Sequence, residues 1–534
     1  TKSDDTSDVR LSPLHSQFDD VSDTEKGLYT HTQTKGLVYE GDLAATFGRL
    51  FADKHMVNAV AGFNFSSTKR ENYGFAANGF TDDQFDSPSF ANSYPNGESP
   101  DYSRTEKRAA SFYINGGYAY DNRYLLDFNY RSDGASMFGT DNRFRNTWSV
   151  GLGWNIHNEK FLRDKDFFQL LKLRASVGNP GNQNFGSYKT ITTYKFNNWL
   201  LNDFGTGLLV DAFGDPDLEW QKTIDKNIGF DVSMFNNRFH VNFDYYYKVT
   251  DPLMASIGIP LSVGVSQRLA NVGKQVSKGY NGTIKYAFIY RPKERINWTT
   301  SFTFRHGHSY YDKIGKNLDQ YNKENRSNSL ARYYDGGSPS DLWSVRSLGI
   351  DPATGKELFL TEKGRITFTY DYADEVVVGN SEPDLEGVLG NSFYYKGFSA
   401  SANFRYRLGG QIFMETLYNK VENISFSDVH YNQDKRALYD RWKEPGDNAK
   451  FRAISTTADT PMSSRFVADN NVFSGESISV GYESQGKWLK SVGASSLTVR
   501  AYMNDIFRIS TVKNERGIDY PFARSVSMSL GLRF

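Results

Sequence analysis

Apolar and polar residues alternate along most of this chain. At the C-terminal end Val526, Met528, Leu530, Leu532 and Phe534 alternate with Ser527, Ser529, Gly531 and Arg533. Trp148, Val150, Leu152, Trp154 and Ile156 alternate with Ser149, Gly151, Gly153 and Asn155. Phe398, Ala400, Ala402, Phe404 and Tyr406 alternate with Ser399, Ser401, Asn403, Arg405 and Arg407. Period two puts each set on its own face of a β-strand. Repeated along the chain, the pattern predicts about fifteen strands: 36–51, 56–68, 108–120, 124–133, 145–157, 170–178, 219–234, 238–249, 271–290, 296–309, 384–395, 398–408, 472–484, 495–504 and 523–534.

Two architectures fit the alternation. A soluble sandwich turns its aromatic face inward; a membrane barrel turns it out to lipid and keeps the other face for a polar lumen. Arg131, Arg305, Arg405, Arg407, Arg500, Arg533, Asp231 and Asp244 fall on the non-aromatic face. An Arg on a lipid face at mid-depth costs ~2–4 kcal/mol, so a barrel would point these residues at the lumen. Strand length and loop asymmetry favour the barrel. Many runs reach roughly 11–20 residues, against about 5–6 for soluble strands. Short connections at 52–55, 121–123, 235–238, 291–294 and 396–397 alternate with long ones near 71–107, 178–218, 250–270, 310–383, 409–471 and 505–522. Short turns at one end and long loops at the other are the outer-membrane pattern. Fifteen is odd, whereas a closed bacterial barrel needs an even number. Strands missed near 186–196 or 342–371, or strands preceding Thr1, would resolve the parity.

Composition sharpens this picture. Hydrophobic residues make up 38% of the 534, yet aromatics reach 15%, with 40 Phe and 34 Tyr. That combination suits strands with one apolar face beneath long polar loops. There is no run of ~18 apolar residues, so no helical membrane span is expected. Lys+Arg and Asp+Glu both number 62, which argues against a nucleic-acid binder needing a basic surplus. Cysteine is absent, which excludes disulfides, thiolate metal sites and cysteine catalysis. Residues 1–35 are expected to be a polar leading loop segment, and 36–534 the C-terminal part of the barrel.

Several segments carry, in order, a resemblance to one family. Residues 124–139 (YLLDFNYRSDGASMFG), 148–154 with 159–162 (WSVGLGW, EKFL), 171–183 (LKLRASVGNPGNQ), 218–223 with 227–231 (LEWQKT, NIGFD), 349–356 (GIDPATGK), 395–398 (YKGF) and 441–447 (RWKEPGD) resemble stretches of SusC/RagA-type TonB-dependent outer-membrane transporters of Bacteroidota. Phe534 resembles the terminal aromatic of outer-membrane proteins. The resemblance spans roughly 36–534. It implies an all-β, transmembrane antiparallel barrel of roughly 22 strands in the family, with a plugged lumen. The family's signal peptide, carboxypeptidase-like domain, TonB box and plug are not visible here.

The resemblance also implies a function: active import of oligosaccharides or peptides across the cell outer membrane. A SusD-like surface lipoprotein would act as lid, and TonB with its inner-membrane energising complex would act through the plug. The expected partners are therefore that lipoprotein, TonB, outer-membrane lipid and the substrate, and no nucleic acid. Two alternatives stay open. The chain could be a SusC-like scaffold in a larger outer-membrane assembly, or a soluble all-β adhesin.

Candidate sites follow from this frame. Loop aromatics Tyr194, Trp199, Tyr310, Tyr311, Tyr333, Tyr334 and Trp343 could stack on sugar rings or pack on peptides, or could simply stabilise the loops. Arg131, Arg305, Arg405, Arg407, Arg500 and Arg533 are expected to face the lumen and to pair with a plug or with carboxylates such as Asp127 and Asp231. His306 and His308 share a strand face, but an interfacial place explains them better than a metal. No nucleophile elbow, phosphate loop or paired catalytic carboxylates are apparent, so neither enzyme activity, a metal nor a cofactor is expected.

Overall fold

The computed structural model describes all residues except 84–86, 96–97, 137–143, 181–191, 204, 216–217, 220, 261, 263, 431, 456–458 and 513–524. Sixteen strands form one antiparallel sheet in which every strand pairs with its neighbours in chain order. They are β1 (Lys2–Leu11), β2 (Leu28–Phe51), β3 (His55–Asn78), β4 (Asp101–Tyr120), β5 (Tyr124–Ala135), β6 (Phe144–Asn155), β7 (Phe168–Asn179) and β8 (Lys222–Met234). The order continues with β9 (Phe239–Asp251), β10 (Lys274–Arg291), β11 (Ile296–Asp312), β12 (Leu385–Tyr395), β13 (Phe398–Leu408), β14 (Val472–Ser484), β15 (Ser496–Ser510) and β16 (Val526–Arg533). Among the described residues no helix is long and apolar enough to cross a membrane, which says nothing of crossing by strands.

The fifteen expected strands are all present, and one more precedes them. The leading segment is not simply a polar loop: Lys2–Leu11 is β1, in register with Leu28–Leu37 of β2. The count is thus sixteen, an even number. Of the extra wall strands expected near 186–196 and 342–371, residues 186–191 lie outside the described residues, and the described parts do not join the wall. Thr193–Asn202 pairs with Gly205–Ala212 in a separate hairpin. Asp341–Ser344, Arg346–Ile350, Glu357–Leu360 and Ile366–Thr367 belong to two small loop sheets.

The tight ends behave as their sequences predict. Ala52, Asp53, Asp121, Asn122 and Lys396 all have positive φ, as short hairpins with matching twist require. At the Lys396–Gly397 turn only glycine fits comfortably. Gly397 has φ +107°, and an added Cβ would lie 2.5 Å from the Glu483 carbonyl oxygen.

The two faces of the sheet differ as the alternation requires. Leu43, Phe47, Phe63, Phe65, Phe112, Leu126, Phe128, Leu152, Ile228, Val480 and Leu530 are all exposed on one face, with Leu43 at 76%. Among the described residues there is no packed core inside this sheet of the kind a sandwich would need. The described apolar clusters lie instead near the long-loop ends, for instance Val272, Tyr311, Ile314 and Leu318.

Candidate functional site

The hydrogen-bond registers carry the predicted arginines onto one face. Arg131 lies opposite Thr147, and Gly153, six residues further along β6 on the same face, lies opposite Arg174. Arg174 faces Gly229, and Gly229 faces Asp244. Asp244 faces Asn281, which faces Arg305, which faces Glu386, which faces Arg407. Two residues from Arg407, Arg405 shares its face, and so, through β14 to β16, do Arg500 and Arg533. This face is the polar one, opposite the exposed aromatic band.

Three of these arginines pair with inward carboxylates, as expected, though with others than Asp127 and Asp231. Arg131 donates from Nε to Asp133 at 2.6 Å and from a terminal nitrogen to Ser111 at 3.0 Å. Arg305 reaches Glu386 at 3.9 Å, and Arg405 reaches Glu476 at 3.1 Å. Arg407 donates to the Ser381 carbonyl. Arg500 and Arg533 are exposed, with no side-chain partner among the described residues. Asp231 is taken by a residue outside the predicted set. Arg174 binds Asp231 at 2.8 and 3.1 Å and Asp244 at 3.0 and 3.1 Å. Such bidentate clamps fix a guanidinium in place. The signal was present in the sequence: Arg174 sits in LKLRAS and Asp231 in NIGFD, two of the segments carrying the resemblance.

Arg131 and Arg174 help line a cavity of about 750 Å³, together with Asn115, Asn129, Asn227 and Asp244 and with the rings of Tyr113 and Trp148. Two of its other lining residues, Asn179 and Asp225, each hold a buried side-chain oxygen without a hydrogen-bond partner among the described residues. Hydrogen-bonding groups therefore crowd the wall at this level.

Above the sheet, the connections β11–β12 and β13–β14 fold onto each other. Ser344 Oγ and Tyr370 Oη both donate to the Met462 carbonyl, at 2.7 and 3.1 Å. The segments GIDPATGK and RWKEPGD meet here. Trp442 Nε1 and Gly446 N donate to the Pro352 carbonyl at 2.8 and 2.9 Å. Gly355, at φ +67°, lies so close beneath the indole that an added Cβ would be 2.4 Å from it. Beside this latch, Arg465 bridges Glu357 of one loop at 3.0 Å and Glu422 of the other at 2.9 Å. Between the loops lies a second cavity of about 960 Å³, lined by Asp341, Tyr372, Glu415, Tyr418 and Asp459 among others.

The predicted loop aromatics divide. Tyr311 is buried, its ring 5.5 Å from that of half-buried Tyr333, which in turn contacts Tyr321. These two rings are used in packing, the loop-stabilising alternative, and offer little to a ligand. Tyr334 is exposed and lies 5.1 Å from Trp343. Tyr310 stands on the outward face, next to His308. Tyr194 is exposed, and the side chain of Trp199 lies outside the described residues. His306 also faces outward, its Nδ1 2.7 Å from the Asp384 carbonyl.

Residues 2–424 match the family model described as TonB dependent receptor-like, beta-barrel. The chain belongs to that family. A TonB-dependent receptor of Formosa agariphila is 28% identical over 508 residues, covering 86% of this chain and 48% of that protein. The TonB-dependent receptor SusC of Bacteroides thetaiotaomicron is 28% identical over 455 residues, 80% of this chain and 44% of that protein. Among solved structures, the RagAB peptide transporter superposes with a TM-score of 0.83 at 21% identity, over 96% of this chain and 56% of that one, a likeness of fold. The chain spans about half the length of the relatives it matches. As a TonB-dependent receptor barrel it resides in the outer membrane, so the exposed aromatic face meets lipid and the arginine face lines the lumen.

Proposed function

We propose that this chain supplies barrel wall and extracellular loops to an importer of oligosaccharides or peptides. In this reading TonB drives the import, and a SusD-like lipoprotein closes over the loops. The observation that supports it most is a continuous polar wall running beneath two interlocked loops. Substrate held between lid and loops would meet Tyr334, Trp343 and the inter-loop cavity first. It would then pass along a wall whose arginines and asparagines offer exchangeable hydrogen bonds. Arg174, already neutralised by two carboxylates, would guide without trapping an anion. No bond-making role falls to any residue in this reading.

Deletion of the full gene is expected to abolish growth on one class of glycan or peptide, and loss of TonB function to reproduce that defect. Undiminished growth on every glycan and peptide tested, with a defect in outer-membrane assembly, would overturn import in favour of the scaffold reading.

A further inference from the structure

The lumen and the loops leave one charged surface unused. It lies on the outward face of β2, β3 and β4, where the strands continue above the aromatic band. Pairing places Lys35, Glu71 and Arg104 in one row, and Leu37, Lys69 and Glu106 in the row below. One row lower again, Tyr39, Ser67 and Arg108 stand together. These residues share a face with Phe65 and Phe112, not with the lumenal Tyr113 and Asn115.

Height identifies what this patch meets. From the turn at Phe51 up to Tyr39, the strand climbs about 40 Å at ~3.4 Å per residue. At a tilt of about 40° that is roughly 30 Å, slightly more than the ~25 Å apolar band of an outer-membrane barrel. The patch therefore begins where hydrocarbon ends and the outer-leaflet headgroups start.

Charge identifies the chemistry. Lys69 pairs with Glu71 at 2.7 Å, and Arg104 with Glu106 at 3.2 Å. Arg108 pairs with Glu106 as well, and Lys35 lies 5.2 Å from the centre of the Tyr73 ring. Four cations thus face two carboxylates. Lys2 and Asp4 of the adjoining β1 occupy the upper two rows and cancel. A surplus of two positive charges remains, and the Arg108 side chain is 72% exposed. A guanidinium beside the headgroup layer has the geometry to take a phosphate through paired N–H donors.

We propose that the outward patch formed by Lys35, Lys69, Arg104 and Arg108 binds the phosphate of an outer-leaflet glycolipid headgroup. The carboxylates Glu71 and Glu106 occupy the basic side chains until the lipid arrives, and so compete with its phosphate. Acyl chains of the same lipid lie below, against Tyr39, Phe65 and Phe112. The site is independent of the import reading, since it faces away from the lumen.

The test uses the full-length receptor in detergent, with monophosphoryl lipid A and its dephosphorylated form as probes and native mass spectrometry as readout. The wild-type receptor is expected to prefer the phosphorylated lipid about tenfold. The combined variant Lys69→Gln, Arg104→Gln, Arg108→Gln should lose that preference while keeping heat-modifiable mobility. The variant Glu71→Gln, Glu106→Gln should strengthen it. Rising salt should weaken it in every form that shows it, as charge screening requires. Equal retention of the two lipids by the wild-type receptor overturns the proposal. So does an unchanged preference in the triple variant or, if that variant does not fold, no strengthening in the Glu71/Glu106 variant. Displacement of the lipid by millimolar inorganic phosphate would reassign the patch to the free anion and overturn the headgroup assignment.

Discussion

Single side chains decide how firmly the two large loops hold together. Arg465 is largely buried between Glu357 and the fully buried Glu422, and it also donates to the Lys450 carbonyl at 2.7 Å. Replacing Arg465 by Met leaves two buried carboxylates short of a counter-charge. Removing one partner of such a group costs about 3–5 kcal/mol locally. Protease cleavage within 345–367 and 409–471 should speed up markedly, while the barrel's heat-modifiable mobility stays unchanged. Unchanged cleavage rates would mean that the hydrogen bonds to Met462 and Pro352 suffice alone. Tyr370 gives a second test of the same contact. Burial, reinforced by the Glu375 carboxylate, pushes its phenol up to about 12. The folded value lies above the ordinary value near 10, so the stabilisation is complete below pH ~10 and is lost as pH rises through about 12. Ultraviolet difference titration should show a late-ionising tyrosine that disappears in Tyr370→Phe, with loop protease resistance falling over the same window in the wild type only.

At the scale of elements, the alternation fixes which face meets lipid. Phe47 lies on the outward face near mid-depth of the apolar band, whereas its neighbours Thr46 and Gly48 face the lumen. Phe47→Arg should cost the barrel ~2–4 kcal/mol in urea unfolding from lipid. Thr46→Arg should cost much less, because its side chain enters the polar lumen. Equal costs would contradict the facing assigned to the sheet. The same alternation explains what could be read from the sequence and what could not. Within the membrane, lipid demands an apolar outer face, so the core of fifteen strands stood out. The upper parts of β2, β3 and β4 escaped notice because both of their faces meet water or headgroups, as in Lys69, Arg70 and Glu71. For the same reason β1 was invisible: its sequence KSDDTSDVRL carries no apolar face at all. The loop latch was readable only as two family-like segments, because nothing local says that Trp442 rests on Gly355 some ninety residues earlier. The clamp of Arg174 was missed likewise, since its partners are set by strand order. Tyr311 and Tyr333 take the loop-packing alternative, which the sequence left open, because an aromatic beside a loop has the same sequence signature whether it is packed or open.

At the scale of the whole molecule, the sheet has two edges that must find partners. Sixteen is even, so β1 and β16 run antiparallel and their edges could in principle meet in a ring. The register forbids a complete seal. β1 pairs only with Leu28–Leu37, the part of β2 that lies above the aromatic band. Beyond the contact of the Thr1 amine with the Val38 carbonyl, the stretch from Val38 to Phe51 has no partner on its outer edge among the described residues. Below the headgroup level of Tyr39 that stretch carries Leu43 and Phe47 outward and therefore lies in hydrocarbon, where each unsatisfied backbone group costs several kcal/mol. Further strands must cover it, in keeping with relatives about twice as long and with roughly 22 strands in barrels of this class. Six strands, not the seven implied by a count of fifteen, would make up the difference. These 534 residues, refolded alone in detergent, should accordingly give edge-paired oligomers and no heat-modifiable monomer, while the full-length receptor gives one. A discrete, heat-modifiable monomer from the 534 residues alone would mean that the edge of β2 is sealed from within the chain, and the closure argument would fail.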